Sequence, residues 1–416
     1  MSVAIVGMGY VGLPLAMEFA EAGIDVIGID IDAPRIAALK TGTSHIEDVS
    51  DERLGAVLER CSFSTRMVDA HDADAVLIAV PTPLNANREP ELGALLSVAR
   101  SLGQVMRAGQ TIVVESTTFP GTTRDYVKPL LEESGLRAGE DFALAFSPER
   151  VDPGRTDYTI KTTPKIVGGL TPSCTEAASA VYAQVCDQIV PVTAPESAEL
   201  AKLLENIFRS VNIALVNELA MLADRMDIDI WEVIDAASTK PYGFMRFEPG
   251  PGMGGHCLPV DPFYLTWRAR EFDFATEFIE LAGKVNQDMP RHCVHQIERA
   301  LNDASKSVRG AKVLVLGVSY KKGVGDIRES PALKIIDLLH ERGAQVVYHD
   351  EFVPELPACG LVNTPSLDDA LEGVDLSVVV TAHPNVDFAE VVRRSPATVD
   401  FRGVTRHLKG AAVPSA

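Results

Sequence analysis

Short apolar runs separated by helix-length amphipathic stretches fill the first 195 residues. Val3–Val6, Asp25–Ile29, Ala75–Val80, Thr111–Glu115 and Phe142–Phe146 are brief and almost continuously apolar, which predicts parallel strands covered on both faces. Helical periodicity lies between them, as in Leu13–Ala22 and Leu92–Ala108. This alternation predicts a doubly wound α/β domain. Near Pro195 the pattern changes. A stretch with few breakers predicts one long helix from Pro195 to about Arg225, and further helices to about residue 303. A glycine-rich run interrupts them, and Phe263–Phe274 then reads as another helix. Strand–helix alternation resumes with Lys312–Gly317, Ala344–His349, Asp375–Thr381 and Ala397–Phe401. The two α/β ends are expected to be structurally alike although no sequence repeat links them, and the tail Lys409–Ala416 is expected to fray.

Composition narrows the class. With 416 residues, two or three domains are expected, and 46% hydrophobic with 23% charged residues is the composition of a soluble globular protein. No apolar run reaches the roughly 18 residues that a membrane span needs. The first strand-like stretch lacks a basic leader and enters glycine-rich turn chemistry directly, so it does not read as a signal peptide. Six cysteines, at 61, 174, 186, 257, 293 and 359, show no framework spacing and fit a reducing cytoplasm. A net charge of −20 makes nucleic acid an unsuitable partner. An anionic substrate would need a locally basic pocket, so Lys and Arg beside motifs carry the information.

Gly7-Met8-Gly9-Tyr10-Val11-Gly12 follows a strand and opens a helix, and Asp30 closes the next strand 18 residues after Gly12. Glycines permit the tight turn and the close approach of a pyrophosphate to the helix N-terminus, and the acid would take the ribose hydroxyls. The alternative is a structural turn that binds nothing; strand, helix and acid in register favour the nucleotide. Asp32 could substitute for Asp30. No Arg occupies the adjoining position, which favours NAD over NADP. The fold class is therefore α/β, with two Rossmann-like doubly wound domains joined by a long central helix and a helical middle region. Residues 1–195 are assigned to NAD binding, 196–303 to the central helices and 304–416 to the second α/β domain.

Cys257 lies in Gly250-Pro251-Gly252-Met253-Gly254-Gly255-His256-Cys257-Leu258-Pro259-Val260-Asp261-Pro262. The glycines are expected to leave open space beside the sulfur, and the helix N-terminus that follows favours a thiolate. A buried, inert cysteine is the alternative. A metal site is not expected: His256, Cys257, His292, Cys293 and His295 match no zinc spacing. Glu199, Lys202 and Asn206 fall on one helical face, where an ordinary solvated Glu–Lys pair is the competing reading. Ser116–Thr122 and Ser147-Pro148-Glu149-Arg150 follow strands at the edge where such sheets receive ligands. Tyr320–Pro331 is a basic loop after the strand ending at Gly317.

Together these segments resemble the UDP-glucose/GDP-mannose dehydrogenase family, over essentially the whole chain and in the family's motif order. The resemblance implies an NAD domain, a central helix used for dimerisation and a C-terminal domain that grips UDP. Carried over by residue, it implies Cys257 as nucleophile, with Lys202 and Asn206 holding the reacting oxygen. Asp261 becomes a partner to water or Lys202, and Thr117 and Glu149 position water and substrate. Gly7, Gly9, Tyr10, Val11, Gly12, Asp30, Thr82, Thr117 and Arg328 are the implied NAD contacts. Glu149, Arg150, Lys202, Asn206, Arg246, Gly254, Lys321 and Arg402 are the implied UDP-sugar contacts, Arg402 reaching across a subunit interface. His256 beside Cys257, Pro262–Trp267 and Ser44-His45-Ile46-Glu47 look most like the UDP-N-acetyl-D-glucosamine 6-dehydrogenase branch.

The implied reaction takes a C6 hydroxymethyl to a carboxylate with two NAD and one water, by a cytoplasmic homodimer. The first base is Lys202 or a water held by Asp261. UDP-glucose or the N-acetylmannosamine epimer would use the same machinery. A single-hydride hydroxyacid dehydrogenase would need neither Cys257 nor a second α/β domain, and a nucleotide-binding regulator would turn nothing over.

Overall fold

The computed structural model describes residues 1–85, 87–150, 157–255 and 258–408. His256, Cys257 and the tail from Lys409 therefore lie outside the described residues. The chain falls into two compact units, residues 1–205 with 263–275, and residues 206–262 with 276–416.

The first unit carries eight strands: β1 (Ser2–Val6), β2 (Asp25–Ile29), β3 (Cys61–Ser64), β4 (Ala75–Ile78), β5 (Thr111–Val114), β6 (Ala143–Phe146), β7 (Lys165–Gly169) and β8 (Ile189–Val192). Their order is β3-β2-β1-β4-β5-β6-β7-β8, and every pairing is parallel except that of β6 with β7. The order reverses direction between β1 and β4, so the carboxyl ends of these two strands flank the crevice where such sheets bind ligands. β4 and β5 are buried at every position, as expected for strands sandwiched by helices.

Three strands escaped the apolar pattern, each for a local reason. β3 buries only Phe63. β7 begins with Lys165 and ends in two glycines. β8 contains Pro191, which is tolerated because β8 is the sheet edge.

The helix Pro195–Arg225 runs 31 residues without a break, as its sequence predicts. The predicted Phe263–Phe274 helix is displaced. It opens at Asp261, with Pro262 in its first turn, and ends at Ala269. A short 3₁₀ turn and the left-handed Asp273 (φ 53°) then stop it.

The second unit holds a parallel sheet of β9 (Lys312–Leu316), β10 (Gln345–His349), β13 (Leu376–Val379) and β14 (Thr398–Asp400), in the order β10-β9-β13-β14. A small antiparallel hairpin, β11 (Glu355–Leu356) with β12 (Leu361–Val362), is inserted after β10. The two units repeat one local design. Gly7 after β1 has φ 101°, and a Cβ on it would stand 2.4 Å from the Ala79 carbonyl oxygen beyond β4. Gly317 after β9 has φ 76°, and a Cβ there would stand 2.1 Å from the Thr381 carbonyl oxygen beyond β13. Each glycine N–H donates to the last residue of the neighbouring strand, Ile29 or His349. The likeness expected of the two α/β ends is thus present in the backbone.

Candidate active site

The loop after β1 is shaped by close approaches only glycine allows. A Cβ on Gly12 would lie 1.8 Å from the Gly7 carbonyl oxygen, whereas no described atom lies within 4 Å of a Cβ on Gly9. The loop is therefore tight on its inner side and open at Gly9. No side chain among the described residues caps the helix Gly12–Glu21; the Leu13 N–H is taken by the Gly9 carbonyl at 3.1 Å, which leaves the turn at Gly9 as the open approach to the positive end of the helix. Tyr10 is exposed and Val11 half-buried on the same turn.

Asp30 is buried against this loop. Its carboxylate accepts the Met8 N–H at 2.8 Å and the Asp32 N–H at 3.0 Å. The structure also separates Asp30 from Asp32: Asp32 caps the helix Ala33–Lys40, accepting the Arg35 N–H at 3.0 Å. No Arg adjoins Asp30 in sequence, but Arg35 reaches back within its helix and pairs with the Asp30 carboxylate at 2.8 Å. Sequence adjacency alone therefore did not measure the charge at this position.

The strand ends beside the loop are tied to one another. The Thr82 hydroxyl donates to the Thr117 carbonyl at 2.7 Å, and the Tyr264 hydroxyl donates to the Thr82 carbonyl at 2.5 Å. Ser116 donates to the Val80 carbonyl at 2.7 Å. Thr82 and Thr117 are thus held as one piece, and Tyr264, which sequence reasoning left among flanking residues, is the tie.

Glu199 does not share a solvated face with Lys202. It is fully buried, and its carboxylate accepts Gly121 N–H at 2.7 Å, Thr123 N–H at 2.9 Å and the Thr123 hydroxyl at 2.8 Å. It anchors the turn after β5 to the long helix. Burial pushes its pKa up to about 7 against the pull of those donors. Because the native value exceeds the unfolded one of 4.5, this group's stabilisation is complete below pH 4.5 and fades as pH rises to about 7. The change is worth roughly 3 kcal/mol at most. Melting temperature should therefore fall further between pH 5 and pH 8 in the wild type than in Glu199→Gln, by on the order of 5 °C. Parallel profiles for the two proteins would remove the assignment.

Lys202 is nearly buried, and its ammonium donates to the Glu149 carbonyl at 2.6 Å. One carboxylate oxygen of Glu149 accepts the Arg150 N–H at 2.8 Å, and the other lies 3.8 Å from Lys165 Nζ. Arg150 does not join this group. Its guanidinium grips Glu205 (2.6 Å) and the Pro164 carbonyl (2.6 Å).

In the second unit, buried Asn206 donates to the carboxylate of buried Asp261 at 2.5 Å. The glycine-rich run leading to Cys257 is packed, not open. Gly250 N–H donates to Asn217 Oδ1 at 2.9 Å. A Cβ on Gly254 would stand 2.6 Å from Tyr320 Cβ, and one on Gly255 (φ 84°) would stand 2.9 Å from the Tyr320 ring. Gly255 N–H donates to the Arg328 carbonyl at 2.9 Å. These glycines let the run close against the basic loop, while the expected space beside the Cys257 sulfur lies outside the described residues. Two motifs far apart in sequence thereby become one surface.

That basic loop is pinned by residues the sequence did not flag. His383 Nδ1 accepts the Gly323 N–H at 3.2 Å, so the ring proton sits on Nε2, facing Asp350 at 3.0 Å and Ser319 Oγ at 3.1 Å. Ser319 Oγ donates to the Lys321 carbonyl at 2.9 Å, which fixes the turn that presents Lys321. Asp350 follows β10 as Asp30 follows β2, and it accepts the Val318 and Ser319 N–H groups. That parallel was the available signal. Arg328 is clasped by its neighbour Asp326 (2.6 Å), and Arg246 by Asp235 (2.7 Å) and Glu248 (3.0 Å). Arg402 donates to the Val380 carbonyl at 2.7 Å, and one of its terminal nitrogens lies 2.8 Å from where a Cβ on Gly250 would stand.

Comparison with known proteins decides the kinship. Residues 1–186 match the NAD binding domain of the UDP-glucose/GDP-mannose dehydrogenase family, residues 196–288 its central domain and residues 314–407 its UDP binding domain. The chain belongs to that family. Among its relatives is UDP-N-acetyl-D-mannosamine dehydrogenase of Pyrococcus horikoshii, 35% identical over 98% of this chain and 99% of the relative. UDP-N-acetyl-D-glucosamine 6-dehydrogenase of Pseudomonas aeruginosa is 36% identical over 95% and 94%. A solved structure of the P. horikoshii UDP-D-ManNAc dehydrogenase superposes with a TM-score of 0.91 at 34% identity, covering 99% of this chain and 98% of that one.

The protein is thus a nucleotide-sugar dehydrogenase with NAD as cofactor. The glycine loop of this dehydrogenase fits that cofactor: a Cβ on Gly9 would meet open space, at the start of a helix that no described side chain caps and beside the Asp30 carboxylate. No helix among the described residues is long and apolar enough to cross a membrane.

Proposed function

We propose that this dehydrogenase oxidises the C6 hydroxymethyl of a UDP-N-acetylhexosamine to the carboxylate, with UDP-N-acetyl-D-glucosamine as its substrate. The observation that carries the reading is the placement of Lys202 and Asn206. They are buried polar groups one turn apart on an unbroken helix, engaged respectively by Glu149 and Asp261. Such fixed donors suit an oxygen that becomes charged during reaction.

NAD, when bound, takes the hydride released at each of two oxidations. Lys202 in its neutral amine form, or a water held by Asp261, removes the hydroxyl proton. The Cys257 thiolate then adds to the aldehyde carbon, and Lys202 and Asn206 donate to the resulting oxyanion. After the second oxidation, water held by Thr117, Glu149 or Asp261 attacks the thioester, which frees the carboxylate and returns the sulfur. Covalent capture retains the reactive aldehyde between the two steps. The role of Cys257 rests on sequence. Lys321, Arg246 and Arg402 are assigned to the nucleotide sugar and Arg328 to the cofactor side, with residues 1–195, 196–303 and 304–416 as functional segments. Arg150, committed to Glu205, would serve the substrate through the backbone it fixes.

The P. aeruginosa relative supports the glucosamine epimer; the P. horikoshii relative and its structure support the mannosamine epimer as the second reading. An NADH-release assay offering UDP-GlcNAc, UDP-ManNAc, UDP-glucose and UDP-galactose decides between them. Two NADH per UDP-GlcNAc consumed is the expected result, and preference for any other sugar would displace it.

A homodimer is part of the proposal. Leu204, Phe208, Leu215, Leu219 and Leu222 recur at helical spacing on the long helix and are each 45–62% exposed. A monomer in sedimentation equilibrium would sink this part. Five free cysteines among the described residues support a cytoplasmic setting.

A further inference from the structure

Behind Glu149 lies a charged cluster that the mechanism above does not use. Lys165 starts β7 and is 4% exposed. Its ammonium is 2.9 Å from the carboxylate of Glu115, which directly follows β5 and is 1% exposed. The Tyr182 hydroxyl, on the helix Pro172–Tyr182, donates to the other Glu115 oxygen, and Lys165 Nζ sits 4.8 Å from the centre of the Tyr182 ring. Lys165 Nζ also lies 3.8 Å from the Glu149 carboxylate.

Stability does not account for this arrangement. Sequestering an ammonium and a carboxylate from water costs as much as their attraction returns, and an apolar trio of equal volume would serve the core as well. The cluster does supply direction. Glu115 and Tyr182 fix the Lys165 ammonium on one side, and the charge left over faces Glu149. Burial alone would lower the Lys165 pKa, but Glu115 and Glu149 raise it above its usual range, so the group stays a cation. Lys202 holds the Glu149 carbonyl, the Arg150 N–H holds one of its carboxylate oxygens, and the field of Lys165 acts on the other.

We infer that Lys165, backed by Glu115 and Tyr182, is a positioning residue that aims the Glu149 carboxylate for the hydrolytic step. This rests on the reading that Glu149 orients water onto the Cys257 thioester. The carboxylate must point at water and remain ionised to accept its proton as the C–S bond breaks. Lys165 touches neither substrate nor the reacting atoms. Without it, the Glu149 carboxylate loses the buried cation that faces one of its oxygens, so substrate binding should persist while thioester cleavage slows.

The test is a cycle of Glu149→Gln, Lys165→Met and the double variant, each assayed for kcat, KM and acyl-enzyme in quenched samples by intact mass. Lys165→Met should lower kcat roughly 10- to 100-fold, leave KM within about threefold and accumulate acyl-enzyme during turnover. The double variant should be no slower than the slower single one, because both act on one step through one carboxylate. Lys165→Arg, which restores the cation, should recover most of the loss. If Glu149→Gln turns over at the wild-type rate, the role given to Glu149 fails. If Glu149→Gln is slow but Lys165→Met is not, or if their losses multiply, only the present inference fails. Should Lys165→Met not fold, Tyr182→Phe keeps every charge and removes one hydroxyl. It should also raise the acyl-enzyme level, and an unchanged level would overturn the inference.

Discussion

Cys257→Ser is expected to stop acid formation almost completely, by on the order of 10³-fold or more. Removing the first two electrons from an alcohol needs a base and a hydride acceptor, and no sulfur. The second oxidation is different. An aldehyde must become a tetrahedral adduct before it can lose hydride, and a thiolate is a far better nucleophile near neutral pH than a serine hydroxyl without an adjacent base. The variant should therefore retain the folded state and UDP-sugar binding while releasing at most one NADH per site. Intact mass of the quenched enzyme should show no acyl adduct at residue 257. Two NADH per sugar at the wild-type rate would end the covalent mechanism, and with it the reason for a glycine run closed against the basic loop immediately before this residue.

Lys202→Ala should cost roughly 10²-fold or more in kcat. Its ammonium is almost wholly removed from water and is tied to the Glu149 carbonyl at 2.6 Å. In such a setting a donor to a developing oxyanion is worth more than it would be at the surface, because little water competes for the charge. An interaction made chiefly with the oxyanion lowers kcat and leaves KM nearly unchanged. Truncation also deprives Glu149 of its carbonyl partner, so melting temperature should be followed in parallel. A fall in melting temperature with turnover intact would make Lys202 a structural post and transfer the proton-accepting role to water held by Asp261.

Much of the architecture was legible because it is written in local pattern. Val3–Val6 and Ala75–Val80 have no polar face to offer water, so they belong in the middle of a covered sheet. The 31 residues from Pro195 to Arg225 hold no breaker after the first turn, and one helix results. Recognition of the family followed from motif order, which also needs no coordinates. Legibility failed where a residue's meaning depends on a partner distant in sequence. Lys165 carries no signal in the sequence, and its meaning comes only when Glu115, 50 residues earlier, is placed 2.9 Å away. Arg35 reads as a helix-surface charge until its side chain turns back to Asp30. The glycines before Cys257 read as spacers until Tyr320 fills the space where their side chains would be.

From the chain's order alone came the α/β class, the long helix and the glycine loop with its acid, each set by near neighbours along the chain, and the kinship with nucleotide-sugar dehydrogenases, set by the order of such local motifs. Only tertiary structure decided that Glu199 is a buried anchor, that Arg150 serves Glu205, and that His383 holds the turn carrying Lys321. The physical reason is range. Periodicity and turn chemistry act along the chain, whereas desolvation and charge pairing depend on which groups the fold brings together and how little water it leaves between them.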